Sequence, residues 1–252
     1  TNVKVTQYMR EVYQMKNDKA QLNSIQTFEK YVEVDSNSFV YKFLQDFPNN
    51  KAIHNNILCI YGPSGVGKTH LLNSIENRFE RSKNIINVTV DQIMHDFALN
   101  LRESTMDKFR DKYYTCDFLL IDNLEAIAGT GRSSLQAELS AIVSSLIYTN
   151  KHVIFSGQKH PMKLDLGNEL RSYLDCSLQL GIQLPTYQMT LKITKSLFNR
   201  ENFKYDTKVI DYVSKYVNGN IHKVKGILKT LYAQSEIMNK VISLEDAKRL
   251  LE

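Results

Sequence analysis

With 252 residues, 42% apolar side chains and a formal net charge of +5, the chain has the size and composition of one large or two modest globular domains. No apolar run is long enough to cross a bilayer as a helix, which excludes a helical membrane protein as far as this sequence runs. The charge is uneven: residues 186–252 hold 12 basic and 7 acidic side chains, whereas 1–185 hold 20 of each. A basic C-terminal third suits nucleic acid or an acidic partner, and equally a solvated helical surface. No signal-peptide pattern opens the chain, although its first residue is Thr1, which leaves room for a longer natural N-terminus. Cys59, Cys116 and Cys176 form no C-x-x-C pair and read as buried thiols of a reducing, cytoplasmic protein.

In chain order, Val5, Tyr8, Met9, Val12 and Tyr13 recur at helical spacing and predict a short amphipathic helix. Ser36 is placed to cap a second helix whose apolar face is Phe39, Val40, Phe43, Leu44 and Phe47. After the polar stretch 49–56 the pattern alternates. ILCIYG (57–62), IINVTV (85–90), DFLLID (117–122), HVIFSG (152–157) and SLQLGI (177–182) read as five strands. Helices fall between them, one of them capped by Asp91 and another spanning 133–149. Continuous apolar strands separated by helices predict an α/β fold with a parallel sheet covered on both faces. Beyond Pro185 every segment is helical, with Asp206 and Ser243 as caps. The predicted organisation is an N-terminal helical or linker segment (1–26), an α/β base (27–185) and a small helical lid (186–252).

GPSGVGKT, Gly62 to Thr69, matches G-x-x-x-x-G-K-[ST] in full, after a strand and at the start of a helix. Gly62, Gly65 and Gly67 let the backbone bend so that successive N–H groups face phosphate, and the helix N-terminus adds partial positive charge. Gly62, Pro63, Ser64, Gly65, Val66, Gly67, Lys68 and Thr69, with the adjoining His70, are therefore the candidates for holding ATP or ADP. Lys68 reaches the outer phosphates, and the Thr69 hydroxyl holds Mg²⁺. Asp122, delivered to the tip of an apolar strand, is the second candidate for the Mg²⁺ shell.

Taken together, GPSGVGKTHLL, FRDKYYTCDFLLIDNLEAIAG, NGNIHKVKGIL and the opening LNSIQTFEKYVEVDSNSFVYKF resemble the AAA+ domain of the DnaA family, the bacterial chromosome replication initiators. The resemblance runs from about residue 22 to 252. It implies an AAA+ P-loop NTPase fold, a five-stranded parallel sheet sandwiched by helices with a C-terminal helical lid. By the same resemblance, ATP lies between base and lid, with adenine near Phe28, Val32 and Asn37 on one side and Ile221 on the other. Residues 91–114 correspond to the family's helical hairpin, which builds a filament and lines a single-strand channel. Ala98 and Arg132 fall near positions that contact DNA there; Arg132 is equally readable as an ordinary loop arginine.

Four positions depart from the family. Asn123 replaces a second aspartate, Gln158 occupies the sensor position after the fourth strand, Tyr173 stands at the arginine-finger position with Arg171 two residues away, and His222 replaces the lid arginine. An amide at 123 hydrogen-bonds water without accepting its proton, and a tyrosine supplies no full positive charge to a neighbour's transition state. The expectation is a site that holds nucleotide and hydrolyses it poorly, unless Arg171, Lys159 or Lys223 fills the gap. Three readings follow. One is an initiator that self-assembles on single-stranded DNA, engaging origin duplex through a helix-turn-helix domain beyond Glu252. Another is a related regulator of the initiator or of the replicative helicase. The third is a helicase-loader ATPase. Continuation past Glu252 would favour the first, and an end there the second.

Overall fold

A computed structural model of the protein describes residues 26–49, 56–129, 131–201 and 203–251. The helix expected around Val5–Tyr13 and most of the 49–56 connection lie outside the described residues. The elements are α1 (Ser38–Asp46), β1 (Ile57–Tyr61), α2 (Lys68–Phe79), β2 (Ile85–Thr89), α3 (Val90–Arg102), α4 (Met106–Tyr114), β3 (Phe118–Asp122) and α5 (Ser133–Tyr148). They continue with β4 (His152–Gly157), α6 (Asn168–Asp175), β5 (Leu178–Gly181), α7 (Tyr187–Phe198), α8 (Thr207–Val217), α9 (Ile221–Met238) and α10 (Leu244–Leu251).

The five strands form one parallel sheet in the order β2-β3-β4-β1-β5. Strand alternation divides the apolar residues between two cores. Leu58 and Ile60 of β1 face one side, where they meet Phe43 and Leu44 of α1 and Leu71, Leu72 and Ile75 of α2. Ile57 and Cys59 face the other, against Ile93 of α3, Phe109 of α4 and Val143 of α5. Both faces of the central strands β1, β3 and β4 are thus covered, which is why they read as continuous apolar runs, while the edge strands β2 and β5 are only partly buried. A third core joins Phe198, Val209, Val213, Val224, Leu228 and Leu231 of the C-terminal helices.

Helix starts follow their caps. Thr89 accepts from the Gln92 N–H while the Gln92 side chain accepts from the Thr89 N–H, a reciprocal capping box that opens α3. Asp91 lies inside that first turn and is not the cap. Asp206 caps α8, and Ser243 and Asp246 reciprocate at the start of α10. The second expected helix begins at Ser38 with Asn37, not Ser36, at the cap position. There the Asn37 side chain bonds the Val34 N–H and the Val32 carbonyl instead of the helix. Helix α6 and the 3₁₀ turns at Phe28–Lys30, Leu124–Ile127 and Pro161–Lys163 were not evident in the sequence, being too short to carry periodicity. Cys59 and Cys116 are buried as expected, but Cys176 at the end of α6 is exposed. No helix among the described residues is long and apolar enough to cross a membrane.

Candidate functional site

Four buried residues of β1 deliver the chain to a loop at the C-terminal edge of the sheet, where open α/β sheets bind ligands. Gly65 and Gly67 take left-handed φ values of 85° and 97°. A Cβ on Gly65 would lie 2.4 Å from Asn220 Oδ1, and one on Gly67 2.9 Å from Tyr31 Cε2. The loop is therefore gripped from two sides, and only glycine fits either contact. On the lid side the Ile221 N–H also donates to the Gly65 carbonyl at 3.2 Å. On the other, the Tyr31 hydroxyl donates to the Val66 carbonyl at 3.3 Å.

Lys68 opens α2 and is nearly buried. Its ammonium donates to the carbonyls of Gly62 and Pro63 at 2.7 and 2.9 Å, curled back over its own loop. Burial holds it below the usual lysine range, with Asp122 and Glu125 opposing the shift. The next residue, Thr69, is exposed and donates its hydroxyl to Asp122 Oδ2 at 2.6 Å. Oδ1 of Asp122 accepts from the Ser156 hydroxyl and from the Asn123 N–H. Two oxygen donors from different elements thus meet beside the phosphate loop. This donor set suits Mg²⁺, which favours one or two protein oxygens and completes its octahedron with phosphate and water.

The residues singled out for the adenine side behave differently from one another. Phe28 is buried, edge-on to Tyr41 and beneath the Arg78 guanidinium. The Asn37 side chain is occupied by the backbone turn at Val32–Val34. What this segment brings to the phosphate loop is Tyr31, which the sequence reading missed. His70 completes the join: its Nε2 meets the Thr27 carbonyl at 2.9 Å, and its ring is edge-on to Tyr31. Burial pulls the His70 pKa down to about 4, so the ring is neutral and donates through Nε2–H. The lid adds Lys192 and Arg200, which donate to the carbonyls of Glu33 and Lys30 at 3.3 and 2.6 Å.

Asn123 is in the left-handed region, at φ 67° and ψ 47°, a conformation asparagine adopts more readily than most residues. It leads into the 3₁₀ turn that presents Glu125. One oxygen of Glu125 accepts the Gln158 N–H at 3.0 Å. Arg171 donates to the carbonyls of Leu164 and Met162, at 2.6 and 3.5 Å, and Tyr173 packs half-buried against its own core. Tyr173 thus offers no positive charge, and the Arg171 guanidinium is turned onto carbonyls of its own chain. His222, in the first turn of α9, is held below the usual histidine range by desolvation and then by Lys225 and Lys68. Ala98 is exposed on α3, and Arg132 is half-exposed at the cap position of α5. The expected hairpin over 91–114 is present as α3 and α4.

Residues 22–183 match the family described as the bacterial DnaA ATPase domain. The chromosomal replication initiator protein DnaA of Wolinella succinogenes is 34% identical over 233 residues, covering 92% of this chain and 53% of that protein. Domain III of the Thermotoga maritima replication initiation protein DnaA superimposes with a TM-score of 0.84 at 27% identity, covering 90% of this chain and 95% of that one. A replication initiator DnaA bound to AMPPCP and single-stranded DNA superimposes with a TM-score of 0.75 at 26% identity, covering 85% and 68%. The chain spans about half the length of the curated relatives it matches.

Proposed function

The chain belongs to the bacterial DnaA ATPase domain family, and on that basis we propose that it is the nucleotide-binding and assembling part of a cytoplasmic chromosomal replication initiator. In this reading residues 27–185 are the base, 186–252 the lid, and ATP or ADP lies between them. The observation that carries it is the gripped phosphate loop, with Lys68 above it and the Thr69–Asp122 pair beside it. The loop amides and the α2 N-terminus bind phosphate oxygens. Lys68 exchanges its loop carbonyls for the outer phosphates, and Thr69 and Asp122 hold Mg²⁺, which neutralises phosphate charge when bound. Asn220 and Tyr31 fix the loop from either side, so lid position and nucleotide occupancy are coupled through one backbone segment.

Hydrolysis in this reading is slow. Asn123 accepts no proton, desolvation disfavours the charged form of His222, and Tyr173 and Arg171 are committed within their own subunit. ATP then acts mainly as an assembly signal, and chains join side by side along single-stranded DNA through α3, α4 and the Arg132 loop. The AMPPCP and single-strand complex of a structural relative supports this. Fluorescence anisotropy with a labelled single strand tests it. ATP is expected to promote salt-sensitive binding that ADP does not. Binding that is absent at low salt with ATP present would contradict the assembly reading.

A further inference from the structure

Asn123 leaves the site without an acid at the position next to the Mg²⁺ aspartate, yet a carboxylate stands three residues beyond Asp122. Glu125 is carried by the turn Leu124–Ile127. Its Oε2 accepts the Gln158 N–H at 3.0 Å, so the side chain bridges the exits of β3 and β4. Gly157 makes room for it: a Cβ there would lie 2.9 Å from Oε2. The other oxygen, Oε1, is shut off from solvent and has no hydrogen-bond partner among the described residues. Buried carboxylate oxygens are rarely left this way, because losing hydration without gaining a donor is costly. An oxygen that waits for a donor is what a water-activating group presents before its substrate complex forms. Gly157 in turn touches the phosphate loop, its carbonyl accepting the Gly62 N–H at 3.2 Å.

We propose that Glu125, not Asn123, is the residue that accepts the proton of the attacking water, an assignment that rests on the ATP-binding reading above. Water oxygen forms a bond to the γ-phosphorus while the bond from that phosphorus to the β–γ bridging oxygen breaks. The bridging oxygen keeps the electron pair and leaves as ADP. Glu125 turns Oε1 out of its dry position to meet the water, takes its proton there and releases it to solvent, giving ADP, inorganic phosphate and one proton. Asn123 contributes its left-handed backbone, which starts the turn that swings Glu125 inward. The acid has moved three residues along the chain, and the lost arginine-finger charge then accounts for slow turnover.

Glu125→Gln tests the assignment, because glutamine keeps an acceptor for the Gln158 N–H and loses only the ability to take a proton. Single-turnover phosphate release is expected to fall by roughly a hundredfold, the usual worth of general base catalysis. An equilibrium readout accompanies it. A carboxylate in the proposed role faces the γ-phosphate and repels it, so Glu125→Gln is expected to raise the preference for a non-hydrolysable ATP analogue over ADP several-fold. A purely structural Glu125 would not raise the preference for the analogue over ADP. Phosphate release by Glu125→Gln within about threefold of the unmodified chain, beyond the background of Lys68→Ala, would overturn the assignment and leave ATP binding intact. Release by the unmodified chain no faster than by Lys68→Ala would also overturn it. Failure of the unmodified chain to bind either nucleotide would remove the underlying reading instead.

Discussion

The Thr69 hydroxyl donates to Asp122 Oδ2 at 2.6 Å although the two residues are 53 apart in sequence. One comes from the first turn of α2 and the other from the tip of β3, so the sheet order brings them together. If both hold one metal ion, Thr69→Ala and Asp122→Asn will each weaken Mg²⁺-dependent ATP binding. The double variant will lose less than the two single losses combined, with a coupling of about 0.5–3 kcal/mol. Calorimetry in chelator supplies the control, since all four proteins are then expected to bind alike.

Tyr31 backs the phosphate loop through its ring and through the bond to the Val66 carbonyl. Tyr31→Phe keeps the ring and is expected to cost about 1 kcal/mol of stability. Tyr31→Ala leaves a cavity, costs about 3–5 kcal/mol and weakens ADP binding as the loop loses its support. Urea unfolding with and without ADP measures both effects.

His70 supplies a pH dependence whose sign is fixed. Its folded pKa, about 4, lies below the unfolded value of ~6.5, so the unfolded chain binds the extra proton. The stability it contributes is complete above about pH 6.5 and is lost as pH falls toward 4, by up to about 1.4 kcal/mol per pH unit. Denaturation across that range will show a shallower acid slope in His70→Asn than in the unmodified protein.

Tyr173 rests on its own core and Arg171 is tied to the carbonyls of Met162 and Leu164, so in the proposed assembly neither supplies a cation to the next site. Turnover per chain is therefore expected to be independent of protein concentration. Tyr173→Arg, by restoring a cation, will introduce a concentration dependence if assembly brings it to the next site. Steady-state phosphate release over a dilution series distinguishes the two behaviours.

Much of this was legible in the sequence for a physical reason. Strands buried on both faces must be continuously apolar, which made β1, β3 and β4 visible as runs. The half-buried edge strands β2 and β5 were marked by shorter apolar runs interrupted by Asn87 and Gln179. The phosphate loop was visible because its backbone path demands glycines at fixed spacing. The caps at Asp206 and Ser243 were legible because capping is local. Asn37 and Phe28 illustrate the limit. In both cases the side chain is used within the fold: a turn consumes one and the core consumes the other. Tyr31 and Glu125 reach the site only through contacts 35 and 33 residues away, and no local pattern carries that information. The Arg171 side chain looked available because a sequence does not reveal which carbonyls its guanidinium will find.

The proposed function depends on nucleotide binding at the loop from Gly62 to Thr69. Titration calorimetry of ATP with Mg²⁺ into the unmodified chain and into Lys68→Ala measures it most directly. We expect one site per chain in the unmodified protein, and binding abolished or greatly weakened in Lys68→Ala, which loses a point charge at the phosphates while remaining folded by circular dichroism. Equal affinity in the two proteins would contradict the site assignment and the function built on it.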